Sequence, residues 1–403
     1  MSGMNRRPSW KWTTTGLCLL IVLGMATTEA SAVTLGHAPR VVDLGTLPGH
    51  VYSETVALND RGEVAGTSHS AALATSRAVR WDSRGRISDL GVLPGTTRSV
   101  ANAINERGTV VGFSYTADLD DSHAVRWEPG GRMADLGTLP GGIGSWAGGI
   151  NDQGTVIGGV RLADRRYRAV MWDRSGRITD LGPLPGDSQA NSAAVNDKGV
   201  VVGASYTDPA NTRPVRWSRN GTTALALPPE DITGNPLCIN ESGVSAGNAY
   251  RSDSGPHARR WDSRGQVTEL LPPPGGVRSR VSGINDAGTV VGSADRADQQ
   301  TRAIRWDRAG TVRELTAFSG SSSAAAINRW GTVAGSAHLA DGRGHAVRWD
   351  AAGRITDLGT LPGSSMPSEA VAINDRGTVI GNGYTSNGEW HAAIWRAPGT
   401  SEG

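Results

Sequence analysis

Two adjacent stretches decide the fold: I-N-D-Q-G-T-V-I-G-G at residues 150–159 and R-A-V-M-W-D-R-S-G-R-I-T-D-L-G at residues 168–182. The chain holds eight variants of this unit between Val41 and Arg396, at a spacing of 43–46 residues. The repeated positions are Asn59, Asn105, Asn151, Asn196, Asn240, Asn285, Asn328 and Asn374, and Trp81, Trp127, Trp172, Trp217, Trp261, Trp306, Trp349 and Trp395. A period of this length predicts one supersecondary unit that packs repeatedly against its neighbours.

Each unit contains four short strand signals. In the third unit we predict strands over residues 145–151, 155–159, 168–172 and 177–181, because these segments are rich in β-branched, aromatic or small residues and lie between turns. No window shows a sustained 3.6-residue apolar period, so we expect almost no helix. Both hairpin turns read Asx-x-x-Gly, which favours a type I turn followed by a left-handed glycine. We interpret these glycines as structural.

A unit of about 45 residues with four antiparallel strands has the size of a propeller blade. The repeats begin with a lone fourth strand, Val41–Leu44, and end with a lone third strand, Ala392–Arg396. Pairing these two would complete the last blade and close the ring, which removes exposed sheet edges. We therefore predict an all-β, eight-bladed β-propeller with the tryptophans packed between blades. A β-solenoid is the alternative, but it leaves the first strand without a partner.

The amino terminus has the pattern of a secretory signal. Arg6, Arg7 and Lys11 precede the apolar run 16–26, and the small residues Ala30-Ser31-Ala32 form a cleavage site. The run is too short for a membrane anchor, since a spanning helix needs about 20 residues. We predict cleavage after Ala32, secretion, and a single propeller domain over residues 33–403. The sequence leaves the general and twin-arginine export routes open.

Composition argues against several classes of protein. Residues 1–32 contain three of the 40 basic and one of the 38 acidic residues, so 37 of each remain and the mature chain is formally neutral. Nucleic-acid binding needs a basic face, so we expect none. Cys238 is the only cysteine after the signal, which excludes an intrachain disulfide and fits a small buried filler. No spacing typical of a zinc site, nucleophile elbow or phosphate loop occurs, and we expect no metal or cofactor.

Several units carry a His-Ala motif before the tryptophan, as in His123–Trp127 (H-A-V-R-W), His345–Trp349 (H-A-V-R-W) and His391–Trp395 (H-A-A-I-W). Together with D-L-G-x-L-P-G and I-N-D-x-G-x-V-V-G, these motifs make residues 41–396 resemble the extracellular HAF repeat family of bacterial secreted proteins. That family usually has Phe as the third residue of the motif, where this chain mostly has Val, and several units lack the histidine, as at Arg77 and Arg302. The resemblance implies a secreted repeat protein and supplies no catalytic residues.

The variable loops should lie on one face of the ring. The two tight turns share one face, so the connectors and the loops between strands two and three share the other, and variable loops of repeat scaffolds often bind ligands. The candidate binding residues there are Tyr115, Trp146, Arg165, Arg166, Tyr167, Tyr206 and Trp390. Local packing within each loop is the alternative role. We expect a monomeric binding or scaffold module for an extracellular glycan or protein, without catalysis.

Two other functions stay open. A purely structural secreted protein would need no ligand. A carbohydrate-active enzyme would need two carboxylates about 5–10 Å apart, and Glu54 and Glu369 occupy equivalent positions in blades that become neighbours when the ring closes. The irregular connectors 224–229, 269–275 and 314–320 fit either sequence drift or adaptation to a partner.

Overall fold

The computed structural model describes residues 40–116, 122–252 and 255–396. The signal peptide prediction for residues 1–32 and its cleavage site lie outside these residues. The described chain forms eight four-stranded antiparallel sheets arranged as the blades of one ring. A single 3-10 turn, Ala71–Leu73, is the only helical element in these ranges, and none of the described helical structure is long and apolar enough to cross a membrane. The predicted eight-bladed β-propeller is confirmed.

The first sixteen strands in chain order are β1 (Arg40–Asp43), β2 (Tyr52–Leu58), β3 (Val64–His69), β4 (Ser76–Trp81), β5 (Ile87–Asp89), β6 (Arg98–Ile104), β7 (Val110–Tyr115), β8 (Ser122–Trp127), β9 (Met133–Asp135), β10 (Gly142–Ile150), β11 (Val156–Leu162), β12 (Tyr167–Trp172), β13 (Ile178–Asp180), β14 (Gln189–Val195), β15 (Val201–Tyr206) and β16 (Arg213–Ser218). The remaining strands are β17 (Gly221–Ala224), β18 (Thr233–Ile239), β19 (Ser245–Arg251), β20 (Gly255–Trp261), β21 (Val267–Leu270), β22 (Gly276–Ile284), β23 (Val290–Arg296), β24 (Thr301–Trp306), β25 (Val312–Glu314), β26 (Ser322–Ile327), β27 (Val333–His338), β28 (Gly344–Trp349), β29 (Ile355–Gly359), β30 (Ser368–Ile373), β31 (Val379–Tyr384) and β32 (Trp390–Arg396).

Blades 1 to 7 each take four consecutive strands, beginning with β2, and the first strand of a blade is innermost. Blade 8 combines β30, β31 and β32 with β1, which pairs antiparallel with β32 from Arg40↔Arg396 to Asp43↔Ala393. The eight inner strands contact one another in sequence, and β30 contacts β2 to complete the circle. The amino-terminal strand therefore closes the ring as predicted, and the solenoid is excluded.

The repeated asparagines join the blades as well as the turns. Asn59 Oδ1 accepts the backbone N–H groups of Arg61 and Glu63, which is the predicted turn role. Its Nδ2 also donates to the backbone carbonyl of Asn105 in the next blade. All eight asparagines repeat this interblade bond at 2.8–3.2 Å, and Asn374 returns it to Asn59. The result is a closed circle of buried hydrogen bonds at the turn end of the inner strands.

The repeated tryptophans are the largest core side chains, with at most 3% of their surface exposed. Trp81 Nε1 in blade 1 donates to the carbonyl of Leu44 at the end of blade 8 at 2.7 Å. Trp217, Trp261, Trp306 and Trp349 make the same bond to the preceding connector at 2.6–2.8 Å. The predicted position between adjacent blades is confirmed, because each of these rings bonds across a blade boundary.

A bulge in each inner strand explains the glycine of the V-V-G motif. In blade 8 the register shifts between Ala370 and Ala372. The carbonyl oxygen of Glu369 then approaches Gly381 so closely that a Cβ there would lie 1.9 Å from it. The equivalent glycines of the other seven blades are equally crowded, at 1.8–2.1 Å. This bulge fixes the backbone of the inner strand just where the channel rim begins.

The irregular connector before blade 5 accompanies a buried charge. Arg259 stands where most units have Val or Ile, and its side chain is fully buried. Asp231, just after the irregular segment 224–229, accepts two hydrogen bonds from its guanidinium, at 2.6 and 2.8 Å. Arg251 also bonds Asp231, and Glu269 contacts Arg259 at 2.9 Å. The connector residue Asp231 therefore compensates the charge that Arg259 buries inside the blade.

Candidate functional site

Each of the eight inner strands contributes one residue to a rim around the connector-side mouth of the ring. In blades 1 to 8 these rim positions hold Glu54, Val100, Trp146, Asn191, Asn235, Arg280, Ser323 and Glu369. Ring closure makes blade 8 the neighbour of blade 1, so the two glutamates lie on adjacent inner strands. They are the only two carboxylates of the rim and sit side by side.

Glu54 is open to solvent and held by a histidine. Its side chain is 48% exposed, and Oε1 lies 3.4 Å from His69 Nε2 on the neighbouring strand β3. His69 Nδ1 lies 2.9 Å from Ser76 Oγ at the start of β4. In the tautomer with its proton on Nε2, the imidazole donates to the carboxylate and accepts from the serine hydroxyl. Glu54 is thus a solvent-accessible carboxylate with one oxygen, Oε1, held by His69.

Glu369 has the opposite environment. It is half-buried, and Asn382 Nδ2 donates to its Oε1 at 3.4 Å. Burial raises the pKa of the Glu369 carboxyl, and the negative charge of Glu54 raises it further, while the Asn382 hydrogen bond opposes both. Asn382 Oδ1 in turn accepts the backbone N–H of Thr55 at 2.9 Å, which ties blade 8 to the residue beside Glu54.

Two neighbouring carboxyl groups with different environments can divide acid and base roles. The raised pKa lets Glu369 keep its proton to a higher pH than an ordinary glutamate does, whereas Glu54 faces water. Cys238 does not compete as a nucleophile, because burial raises the pKa of its thiol to about 12 and keeps it protonated. The pair between blades 8 and 1 is therefore the candidate site for chemistry.

The structure brings three of the predicted binding residues together between blades 3 and 4. Trp146 and Tyr167 pack edge to face with ring centroids 5.7 Å apart. A Cβ at Gly159 would lie 2.0 Å from the Trp146 ring, so the glycine makes room for the indole. Tyr206 is near Tyr167, and its hydroxyl accepts a 2.9 Å hydrogen bond from Asn191 Nδ2.

The other four predicted residues lie outside this cluster. Tyr115 is only 8% exposed, and Tyr206 of the cluster is only 6% exposed, which matches the alternative of local packing for both. Arg165 and Arg166 lie exposed in the turn between β11 and β12, where Arg165 takes a left-handed φ of 66°. Trp390 lies at the start of β32, and its ring centroid is 4.6 Å from that of Tyr384. Of the seven, Trp390 is the one that shares a blade with Glu369.

Sequence reasoning found Glu54 and Glu369 but missed His69 and Asn382. The expected register between the first and second strands of each blade would have pointed to both residues. Each rim residue pairs with the residue that follows the V-V-G glycine, as Glu369 pairs with Asn382. His69 lies two residues beyond the corresponding position in blade 1. Because side chains alternate along a strand, the residues one and three places after the glycine share one face and could have been read as the partners of the rim.

The opposite mouth carries a ring of acids with a structural role. Seven carboxylates each accept the backbone N–H of the preceding blade at 2.8–3.0 Å, and they belong to Asp60, Glu106, Asp152, Asp197, Glu241, Asp286 and Asp375. Arg329 replaces the acid in blade 7 and pairs with Asp375. A cavity of about 230 Å³ lies within this mouth. In the described part of the chain, no group of three or more potential ligands could hold a metal ion.

No protein-family model and no curated protein matches the chain. Solved structures do match. One is a prolyl endopeptidase, with a TM-score of 0.58 and 11% identity over 83% of this chain and 54% of that one. Another is the S511A mutant of puromycin hydrolase complexed with PGG, with a TM-score of 0.52 and 15% identity over 86% and 59%. The chain thus spans little more than half the length of these two proteins.

A third similar structure is close to this chain in length. It is the oligogalacturonate lyase of Vibrio parahaemolyticus, with a TM-score of 0.51 and 10% identity over 90% of this chain and 95% of that one. These neighbours correct our expectation of a binding module without catalysis, and the prediction that the chain is not an enzyme: propellers of this architecture occur in peptidases and in a lyase. At such low identity the likeness shows the fold alone, so the chemistry rests on this chain's own residues.

Proposed function

We propose that this protein is an enzyme that cleaves glycosidic bonds, with Glu369 as the general acid and Glu54 as the general base. The observation that carries the proposal is the pairing of a half-buried carboxyl of raised pKa with an exposed carboxylate on the adjacent inner strand. Glycoside cleavage needs such a pair, one group protonated and one ionised. The lyase of similar length supports a saccharide as substrate, because it acts on oligogalacturonate within a chain of this size.

In the proposed hydrolysis, Glu369 gives its proton to the glycosidic oxygen as the bond from that oxygen to the anomeric carbon breaks. A water molecule adds to the anomeric carbon, and Glu54 takes the proton that the water releases. Exchange with solvent then restores both groups. The His69 contact orients the Glu54 carboxylate, and Asn382 orients the Glu369 carboxyl.

The proposal also covers the location of the protein and its family. We propose that the protein is exported with cleavage after Ala32 and that it belongs to the HAF repeat proteins, as the motifs of residues 41–396 suggest. Export would place the enzyme where extracellular polysaccharides are found. Mass spectrometry of the protein recovered from the culture medium tests this, because an amino terminus at Val33 is expected.

Activity is tested by incubating the purified protein with polygalacturonate, xylan, mannan, β-glucan and chitin and measuring new reducing ends. We expect cleavage of at least one polymer and a loss of about 10²–10⁴-fold in kcat for Glu369→Gln. Glu230→Gln is the matched control, since Glu230 is an exposed glutamate in the connector before blade 5. An ultraviolet-absorbing unsaturated product would identify elimination instead of hydrolysis. Equal rates for wild type and Glu369→Gln, or no cleavage of any polymer, would refute the proposal.

A further inference from the structure

Blade 8 carries an aromatic pair beside the proposed acid. Tyr384 ends β31 and Trp390 begins β32, and the two residues are direct partners in the antiparallel register. Their ring centroids are 4.6 Å apart and their planes meet at 62°. Both residues are half-buried, and they lie where the loop between β31 and β32 leaves and re-enters the blade. An edge-to-face pair of this kind holds each ring in a defined orientation.

The pair lies on the same face of the blade as the groups that orient Glu369. Asn382 contacts Glu369 and also the backbone of Thr55, so its side chain points toward blade 1. Tyr384 follows Asn382 by two residues on the same strand, and side chains two apart share a face. Trp390 is opposite Tyr384 and therefore shares that face too. Glu369, Asn382 and the two rings form one continuous strip from the channel rim outward.

The other blades place different chemistry at this point. The corresponding partners are His69 and Ser76 in blade 1, Tyr115 and Ser122 in blade 2, Tyr250 and Pro256 in blade 5, and Asp295 and Thr301 in blade 6. Blade 8 combines two aromatic rings where these blades have at most one. The aromatic strip therefore coincides with the blade that carries the carboxyl of raised pKa.

We propose that Tyr384 and Trp390 form a sugar-binding subsite that holds a pyranose ring next to the bond protonated by Glu369. This inference rests on the proposed function. The C–H faces of a pyranose are apolar and pack against aromatic rings, while the hydroxyl groups stay at the edge for hydrogen bonds. A ring stacked on this strip would be one residue along the polysaccharide from the cleaved bond, so the subsite would favour chains over short substrates.

Binding is measured apart from cleavage by affinity electrophoresis through gels that contain each of the five polysaccharides. The Glu369→Gln variant should be retarded by at least one polymer, and Glu369→Gln with Trp390→Ala should bind that polymer at least about tenfold more weakly. Trp390→Phe keeps an aromatic ring and should retain most of the binding. Glu369→Gln with Trp330→Ala is the control, because Trp330 is 67% exposed at the opposite mouth. Thermal unfolding identifies any variant that fails to fold.

The results separate this inference from the proposed function. Retardation that depends on Trp390, in a protein that cleaves nothing, would support the subsite and refute the enzymatic proposal. Cleavage that depends on Glu369, with affinity and KM unchanged in Trp390→Ala, would refute the subsite and leave the enzyme. If none of the five polymers retards the Glu369→Gln variant, the proposed subsite would also be refuted.

Discussion

At the residue scale, Arg259 shows how a change against the repeat pattern is compensated. A fully buried arginine takes the place of an apolar side chain, and Asp231 meets it with two hydrogen bonds. Removing one partner of a buried ion pair leaves an uncompensated charge, which is far more costly than the net value of the pair. Blade 5 therefore depends on Asp231, a residue of the connector that precedes it.

We expect Asp231→Asn to lower the free energy of unfolding by about 3–5 kcal/mol, because the Arg259 charge stays buried with less compensation. Urea unfolding followed by tryptophan fluorescence measures the change. Asp164→Asn is the control, since Asp164 is 53% exposed and its contact with Arg166 is 3.7 Å long. For this control we expect the free energy of unfolding to fall by less than about 1 kcal/mol, as is usual for exposed ion pairs. Equal stability of the two variants would contradict this account of the connector.

The bulge glycine of blade 8 links stability to the site. A Cβ on Gly381 would meet the Glu369 carbonyl at 1.9 Å, so Gly381→Ala must displace the strand that carries the proposed acid. We expect a loss of about 1–3 kcal/mol, together with reduced cleavage. Gly130→Ala is the control, because a Cβ at Gly130 has nothing within 4 Å. Unfolding curves and reducing-end assays on both variants provide the measurement, and an unperturbed Gly381→Ala would disprove the crowding.

The residues of the site differ in how far sequence predicted them. Glu54 and Glu369 could be found because aligned repeats show which rim positions carry acids. The raised pKa of Glu369 could not be found in this way, since it depends on burial and on the position of Asn382. The burial of Tyr206 likewise depends on how blade 4 packs, and no local pattern encodes it.

At the scale of elements, the histidine of the His-Ala motif contacts the aspartate of the D-L-G motif in the same unit. His345 Nδ1 lies 3.0 Å from both carboxylate oxygens of Asp357, and His123 lies 2.8 Å from Asp135. Each histidine is on the third strand and each aspartate on the fourth strand of the same blade. In blade 8 the partner strand is the amino-terminal one, so His391 pairs with Asp43 across the closure.

The closing pair gives ring stability a pH dependence. The hydrogen bond to Asp43 raises the pKa of His391, burial opposes it, and the charges of Asp43 and Glu389 add to the rise. A histidine with a raised folded-state pKa stabilises the fold below its ordinary value of 6.5, and this contribution is lost as pH rises through the raised value. We expect His391→Gln to lower the Tm more at about pH 5.5 than at about pH 8.5. His338→Gln is the control, because His338 ends β27 and forms no ion pair with a carboxylate among the described residues. An equal effect of His391→Gln at both pH values would count against the pair.

The observed strand limits agree closely with those predicted from the sequence where the repeat is regular. The third unit has strands at Val156–Leu162 and Tyr167–Trp172, near the predicted limits, because turn glycines and β-branched residues set them locally. Its first strand begins earlier than predicted, at Gly142, and its fourth is reduced to Ile178–Asp180. Those ends depend on pairing with neighbours across a bulge and at an outer edge, which local patterns do not specify.

At the scale of the whole molecule, ring closure creates the site. Glu54 and Glu369 lie near opposite ends of the described chain, and they become neighbours because β1 completes blade 8 and Asn374 bonds back to Asn59. A mutation that opens the seam would thus separate the two carboxyl groups. The architecture links the stability of the closure to the electrostatic interaction that the proposed reaction needs.

The most direct test of this account is an NMR titration of the Glu369 carboxyl in the intact protein. We predict a pKa above the ordinary glutamate value of 4.5 in the wild type, and a lower pKa in Glu54→Gln, because that substitution removes the neighbouring negative charge. Glu230→Gln should leave the titration of Glu369 unchanged. A Glu369 pKa at or below the ordinary value, or one insensitive to Glu54→Gln, would contradict the pairing of the two carboxyl groups across the seam.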